Sequence, residues 1–134
     1  MSDNKSVTKK LYGEMSQSGD IDTLVETYFT EDFVEHEEIP GVEVTGREVP
    51  KMMFRMMRKA MPDIQAEVDL ILAEDDKVVA YGTFVGTHSG DFMGMPGTGR
   101  TVRIPFADIL QWRDGKIAGH WGVSDMSAVF APAE

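Results

Sequence analysis

Hydrophobic positions along the chain follow a helical period in the first half and a period of two in the second. From Ser6 to Gln17 the apolar Val7, Leu11, Tyr12 and Met15 share one helix face, and Ser18-Gly19-Asp20 ends the pattern. Asp20 is placed to cap a second helix, Ile21 to Tyr28, with Leu24, Val25 and Tyr28 as its apolar side. Phe33 to His36 then runs extended toward a turn at Pro40-Gly41. Arg47 to Met61 is a third helix, in which Met52, Met53, Met56, Met57 and Ala60 form one stripe. Lys51, Arg55, Arg58 and Lys59 make its solvated side, and Pro62-Asp63 stops it.

Three or four strands follow. Ile64 to Ala73 and Val78 to Thr87 alternate well enough to be strands, and Glu74 to Lys77 turns the chain between them, so they pair antiparallel. His88 to Arg100, with four glycines and Pro96, is a loop too long for a tight hairpin and is placed over one mouth of the sheet. Ile104 to Asp125 reads as a hairpin around Asp114-Gly115, a pair suited to a type I′ turn because both central residues need positive φ. Pairing Arg113 with Lys116 sets Trp112 against Ile117, Leu110 against Gly119, Asp108 against Trp121 and Phe106 against Val123 on one side of the ribbon, with Asp125 following. His120 falls on the other side, as a sheet-surface or interface residue, unless a one-residue bulge reverses the strand. Helices first and strands after give an α+β domain, its helices segregated on one face of a curved antiparallel sheet and a cone-shaped pocket between the layers.

Length and charge narrow the partners. At 134 residues the chain is one domain with room for a core and a cavity. Acidic residues number 23 against 13 basic, a net charge of −10 with no long basic run, which argues against electrostatic binding to nucleic acid or an anionic membrane. The absence of cysteine excludes disulfides, thiolate metal sites and cysteine nucleophiles. No apolar stretch approaches the roughly 20 residues of a membrane span, and the polar Met1 to Lys10 lacks a signal core, so a cytoplasmic location is the expectation.

Carboxyl groups on an apolar face are the candidate chemistry. Asp108 and Asp125, on the face carrying Phe106 and Trp121, either cost several kcal/mol of desolvation or serve as perturbed acids. The plainer alternatives are a hydrogen bond from Asp108 to Tyr12 or a buried backbone group, and an N-cap role for Asp125 ahead of Met126-Ser127-Ala128. His88, Asp91 and His36 match no recognised metal spacing, and a loop hydrogen bond accounts for His88 more simply. Gly94 to Gly99 lacks the strand-to-helix context of a phosphate loop, and Arg100 and Arg103 are expected in solvent. The methionine stripe is core packing whose adaptability, through Met53 and Met57, also suits a pocket for a flat ligand.

Four segments together carry a family resemblance: Tyr28-Phe-Thr-Glu-Asp-Phe-Val-Glu-His36, Gly46-Arg47-Glu48, Gly86-Thr-His-Ser-Gly-Asp-Phe92 and Asp114-Gly-Lys-Ile-Ala-Gly-His-Trp121. From Leu11 to about Val129 the chain resembles the SnoaL-like polyketide cyclases of the nuclear transport factor 2-like (NTF2-like) superfamily. The resemblance implies an α+β cone with a strongly bent antiparallel or mixed sheet, and a homodimer. Similarity to ketosteroid isomerase, a further member, implies an oxyanion site at Tyr12 and Asp108 and a base at His36, where the isomerase has a carboxylate. Similarity to SnoaL-type cyclases implies an acid/base role for Asp125.

These residues suit removal of a proton beside a carbonyl, followed in a cyclase by intramolecular aldol closure. Asp125 or His36 would be the base, with Asp108 an oxyanion donor if desolvation keeps it neutral. The ligand is then a small or polycyclic apolar carbonyl compound, held by Trp121, Phe106, Met53, Met57 and the glycine-rich loop, and no metal, nucleotide or redox cofactor is required. The same fold also hosts isomerases, dehydratases and non-catalytic ligand-binding or dimerisation domains, which stand as the alternative class.

Overall fold

The computed structural model describes residues 3–16, 19–37, 39 and 42–130. Helices α1 (Asn4–Met15) and α2 (Ile21–Tyr28) precede strand β1 (Phe29–Glu35), and α3 (Glu48–Ala60) leads into β2 (Gln65–Glu74), β3 (Lys77–Thr87), β4 (Thr101–Arg113) and β5 (Lys116–Ser124), with a single turn α4 (Ser127–Phe130) at the end. The expected turn at Pro40-Gly41 lies outside the described residues, as do Gln17 and Ser18, while the first helix ends earlier than its apolar pattern suggests, at Met15 with Ser16 as its C-cap. Asp3 and Asp20 cap the first two helices by accepting from the Ser6 and Thr23 amides, at 3.3 Å each, which satisfies otherwise unpaired helix N–H groups.

The strands form one sheet in the order β1-β5-β4-β3-β2. All neighbours are antiparallel except β1, which lies parallel to β5. The α+β expectation therefore stands, with a mixed sheet. One face of the sheet carries the helices: Tyr12 and Met15 of α1 and Met57 and Ala60 of α3 pack with Ala80, Phe84, Ile104 and Phe106. Leu11, Ile21, Val25 and Tyr28 pack with Val78, Leu110, Trp112 and Ile117.

Two surface expectations change. Arg58, placed by periodicity in solvent, turns back to donate to the Met15, Gly19 and Glu14 carbonyls, supplying a cation to the C-terminal end of α1. The 88–100 loop does not overhang the pocket. The Ser89 and Gly90 amides donate to the Ala60 carbonyl at 3.0 Å, and Phe92 and His88 are buried, so the loop is fastened to the end of α3. Arg103 is exposed as expected, paired with Glu67 at 2.9 Å.

The final hairpin departs from the simple register in one place. Arg113 pairs with Lys116 and Trp112 with Ile117, but Gln111 then pairs with Gly119, so Ala118 is an extra residue on β5. Beyond this bulge every β5 residue is shifted by one: Leu110 faces His120, Asp108 faces Gly122 and Phe106 faces Ser124. Because side chains alternate between faces, that single insertion exchanges the sides assigned to His120 and Trp121.

Candidate active site

The helix-covered face of the sheet encloses a cavity of about 120 Å³. Its wall is apolar, built from Leu11, Met15, Met53, Met57, Phe84, Phe106 and neighbours, and its polar groups gather at one end: Tyr12, Glu35, Glu37, Asp108, Ser124 and His120. Tyr12, on the buried side of α1, stacks on Phe106 with ring centroids 5.3 Å apart, and Phe84 stacks on Phe106 in turn at 4.3 Å. This aromatic stack fixes the tyrosine ring against β4.

From there a hydrogen-bonded chain crosses three strands. The Tyr12 hydroxyl donates to Asp108 Oδ2. The other carboxylate oxygen, Oδ1, lies 2.8 Å from His120 Nε2, and His120 Nδ1 lies 2.5 Å from Glu35 Oε2. Burial alone would strip the proton from His120, but the two carboxylate partners outweigh it and push the imidazolium up to about 10. Burial and the adjacent Asp108 charge raise the Tyr12 hydroxyl well above the usual phenol range, so it remains an O–H donor. Glu37 is also shifted upward, by partial burial and by the Glu35 and Asp108 charges, against the opposing pull of His120.

Of the residues the sequence singled out, Tyr12, Asp108, Phe106, Met53 and Met57 line this cavity. Asp125, His36 and Trp121 do not. Asp125 is exposed and accepts from the Ser127 amide at 3.0 Å, a local turn bond that holds its carboxyl below the usual range. His36 and Trp121 stack on each other at 4.3 Å and 6° on the outer face, His36 because it alternates with the inward Phe33 and Glu35, Trp121 because of the bulge at Ala118. The expectation of a neutral Asp108 donor also changes, since both of its oxygens receive hydrogen bonds and the acid serves as an acceptor.

Sequence reasoning missed Glu35 and Glu37, and it placed His120 on the outer side unless a one-residue bulge intervened, which is what the structure shows. For the two glutamates the signal was present: a period of two counted from Phe33 puts residues 35 and 37 inward and His36 outward. For that bulge Gly119 was a local hint, since a glycine inside a strand often marks one. The His88 ring is buried apart from the cavity wall, and neither of its nitrogens has a partner among the described residues.

Glu35, Glu37 and His120 each bring a donor atom within 4.8 Å of the others. In this arrangement both ring nitrogens of His120 are directed at carboxylates, Nδ1 at Glu35 and Nε2 at Asp108, so the histidine is engaged on both sides within the chain.

Comparison with known proteins now bears on the fold and site together. The family model for SnoaL-like polyketide cyclases matches residues 6–132. The chain belongs to this family. A comparison with curated protein sequences finds no match. Among solved structures, this SnoaL-like chain is 32% identical to AclR of Streptomyces galilaeus, named a hydroxylase, over 94% of this chain and 80% of that one, with a TM-score of 0.75. It is 28% identical to IdmH of Streptomyces antibioticus, named a polyketide cyclase, over 95% and 96% of the two chains, with a TM-score of 0.78. A Catenulispora acidiphila protein of ketosteroid isomerase-like fold aligns over 95% and 91% of the two chains at 16% identity, with a TM-score of 0.71, which speaks for the fold alone. The SnoaL-like fold is thus the NTF2-like α+β cone that the sequence motifs implied. Among the described residues no helix is long and apolar enough to cross a membrane.

Proposed function

We propose that the protein is a cofactor-independent acid/base enzyme that forms an enolate from an apolar carbonyl compound and closes a ring by aldol attack within the same molecule. The observation that carries this reading is the Tyr12–Asp108–His120–Glu35 chain at the one polar end of an otherwise apolar cavity. Glu35 and Asp108 grip His120 from both sides and so hold the polar end of the cavity in one geometry. Tyr12, kept protonated by burial and fixed by its stack on Phe106, would turn its single O–H from Asp108 to the enolate oxygen when the ligand is bound. Met53, Met57, Phe84 and Phe106 hold the apolar body of the ligand and exclude water. The cyclase name carried by IdmH and by the family model supports the choice of substrate class.

The same reading includes a homodimer formed over the outer face of the sheet. Two apolar rows cross the strands there, Leu70-Tyr81-Ala107-Val123 and Leu72-Val79-Ile109-Trp121, each joined by direct cross-strand pairing. Leu70, Leu72, Tyr81 and Val123 are exposed, Val123 by 71%, and a second copy of the chain offers the matching apolar surface.

The test is exchange of the α-protons of β-tetralone in heavy water, followed by proton NMR. The reading expects protein-dependent exchange that falls about 100-fold in Tyr12→Phe, the order for loss of one oxyanion donor. Saturable binding of β-tetralone without any exchange would instead identify a ligand-binding domain.

A further inference from the structure

Enolate formation needs a group to take the proton, and neither Asp125 nor His36 reaches the cavity. Asp108 and Glu35 are both committed to His120. Resting on the acid/base reading above, we propose that Glu37 is the catalytic base, a carboxylate standing at the neck between the apolar cavity and an outer vestibule.

Three observations place it there. First, a second hollow, of about 640 Å³, lies between β1 and the segment leading to α3, lined among others by Val42, Val44 and Val49. Glu35, Glu37 and Ile39 line both spaces, so Glu37 stands at the boundary between the vestibule and the cavity. Second, the Glu37 carboxyl makes no hydrogen bond among the described residues, although its backbone amide donates to Glu35 Oε2 at 3.2 Å. Third, the strand opposite leaves room for it. A Cβ on Gly122 would stand 2.6 Å from Glu37 Oε1, 2.7 Å from Asp108 Oδ1 and 2.8 Å from His120 Cε1, distances that real Cβ atoms do not tolerate. Any side chain at position 122 would displace one or more of the three groups.

The step balances without a further reactant. The α-carbon–hydrogen bond breaks, its proton passes to Glu37, the electron pair forms the enolate carbon–carbon double bond, and the carbonyl oxygen takes the charge beside Tyr12. The enolate re-forms its carbonyl as its carbon bonds to the second carbonyl carbon, whose π pair moves to oxygen as an alkoxide, and Glu37 returns the proton to that alkoxide. The groups facing its carboxyl are Glu35 from β1, Asp108 from β4 and His120 from β5, with the Tyr12 hydroxyl beyond. Two of these are carboxylates, and with burial they make Glu37 a stronger base than an exposed glutamate. The cavity alone accommodates about one ring, being comparable to a void that takes benzene. A larger substrate places its reacting carbon at the neck and its remainder in the vestibule.

The experiment measures β-tetralone exchange and β-tetralone dissociation constants for the wild type, Glu37→Gln, Gly122→Ala and Tyr12→Phe, with circular dichroism to confirm folding. Glu37→Gln is expected to lose about 100-fold in exchange rate with the dissociation constant unchanged within about twofold. The rate increase with pH that reports Glu37 ionisation should vanish in that variant, and Gly122→Ala should lose exchange while staying folded. Wild-type exchange in Glu37→Gln, alongside loss in Tyr12→Phe, would overturn Glu37 as the base and leave the acid/base reading standing. A wild-type protein no faster than free acetate would overturn both.

Discussion

His120 shows how much of this site depends on pairs of side chains. Its imidazolium exists in a buried setting only because Asp108 and Glu35 grip both nitrogens, and removing either carboxylate leaves a charge that burial opposes. The consequence for stability has a definite sign. A histidine raised in the folded state to about 10, from about 6.5 when unfolded, contributes its full stabilisation below the lower value and loses it as pH rises through the higher one. Denaturant unfolding of the wild type and His120→Gln is therefore expected to differ most near pH 6 and to converge as pH approaches about 10. At this scale Asp108 was legible from its apolar face and Tyr12 from the resemblance to ketosteroid isomerase, and so was the possibility that they bond to each other. His36 was singled out because it falls where ketosteroid isomerase has its carboxylate, whereas the alternation from Phe33 already turned it outward.

At the level of elements the final hairpin decides which chemistry enters the cavity. Its turn was readable from two residues, and Asp114 and Gly115 adopt φ of 52° and 80°, as a type I′ turn requires. Gly115→Ala places a Cβ in the left-handed region and should lower stability by about 1 kcal/mol, measured by thermal unfolding. The bulge at Ala118 was not readable, because an extra residue leaves composition and local propensity unchanged and alters only the partner across the ladder. Deleting Ala118 is expected to restore strict alternation, turning Trp121 inward and His120 outward. A blue shift in tryptophan emission together with loss of β-tetralone exchange would show this, and unchanged exchange would argue against it. Helix α2 illustrates the opposite case: its start at Ile21 follows directly from the Asp20 cap.

Across the whole molecule, the order of helices and strands was enough to give two layers with a pocket between them. The mixed character of the sheet came only from the family motifs, since no local pattern dictates that β1 should run parallel to β5. The outer face was equally hard to anticipate. Val79, Tyr81 and Ile109 alternate with Val78, Ala80 and Leu110 of the core, so β3 and β4 are hydrophobic on both sides along part of their length. The homodimer proposed over this face predicts a solution mass near twice the chain mass by light scattering. Tyr81→Glu, at the middle of one apolar row, should shift the protein to monomer while leaving its circular dichroism intact; a monomeric wild type would contradict the proposal.

The account as a whole stands on where a planar enolate would sit. β-Naphthol, a stable mimic of the β-tetralone enolate, supplies the most direct measurement, a crystal structure of its complex with the wild-type protein. The predicted result places its ring against Phe106 and Met57, its oxygen within hydrogen-bond distance of the Tyr12 hydroxyl, and the adjacent carbon facing the Glu37 carboxyl. Naphthol bound on the outer face beside Trp121 and His36, with the Tyr12–Asp108–His120–Glu35 chain untouched, would contradict it.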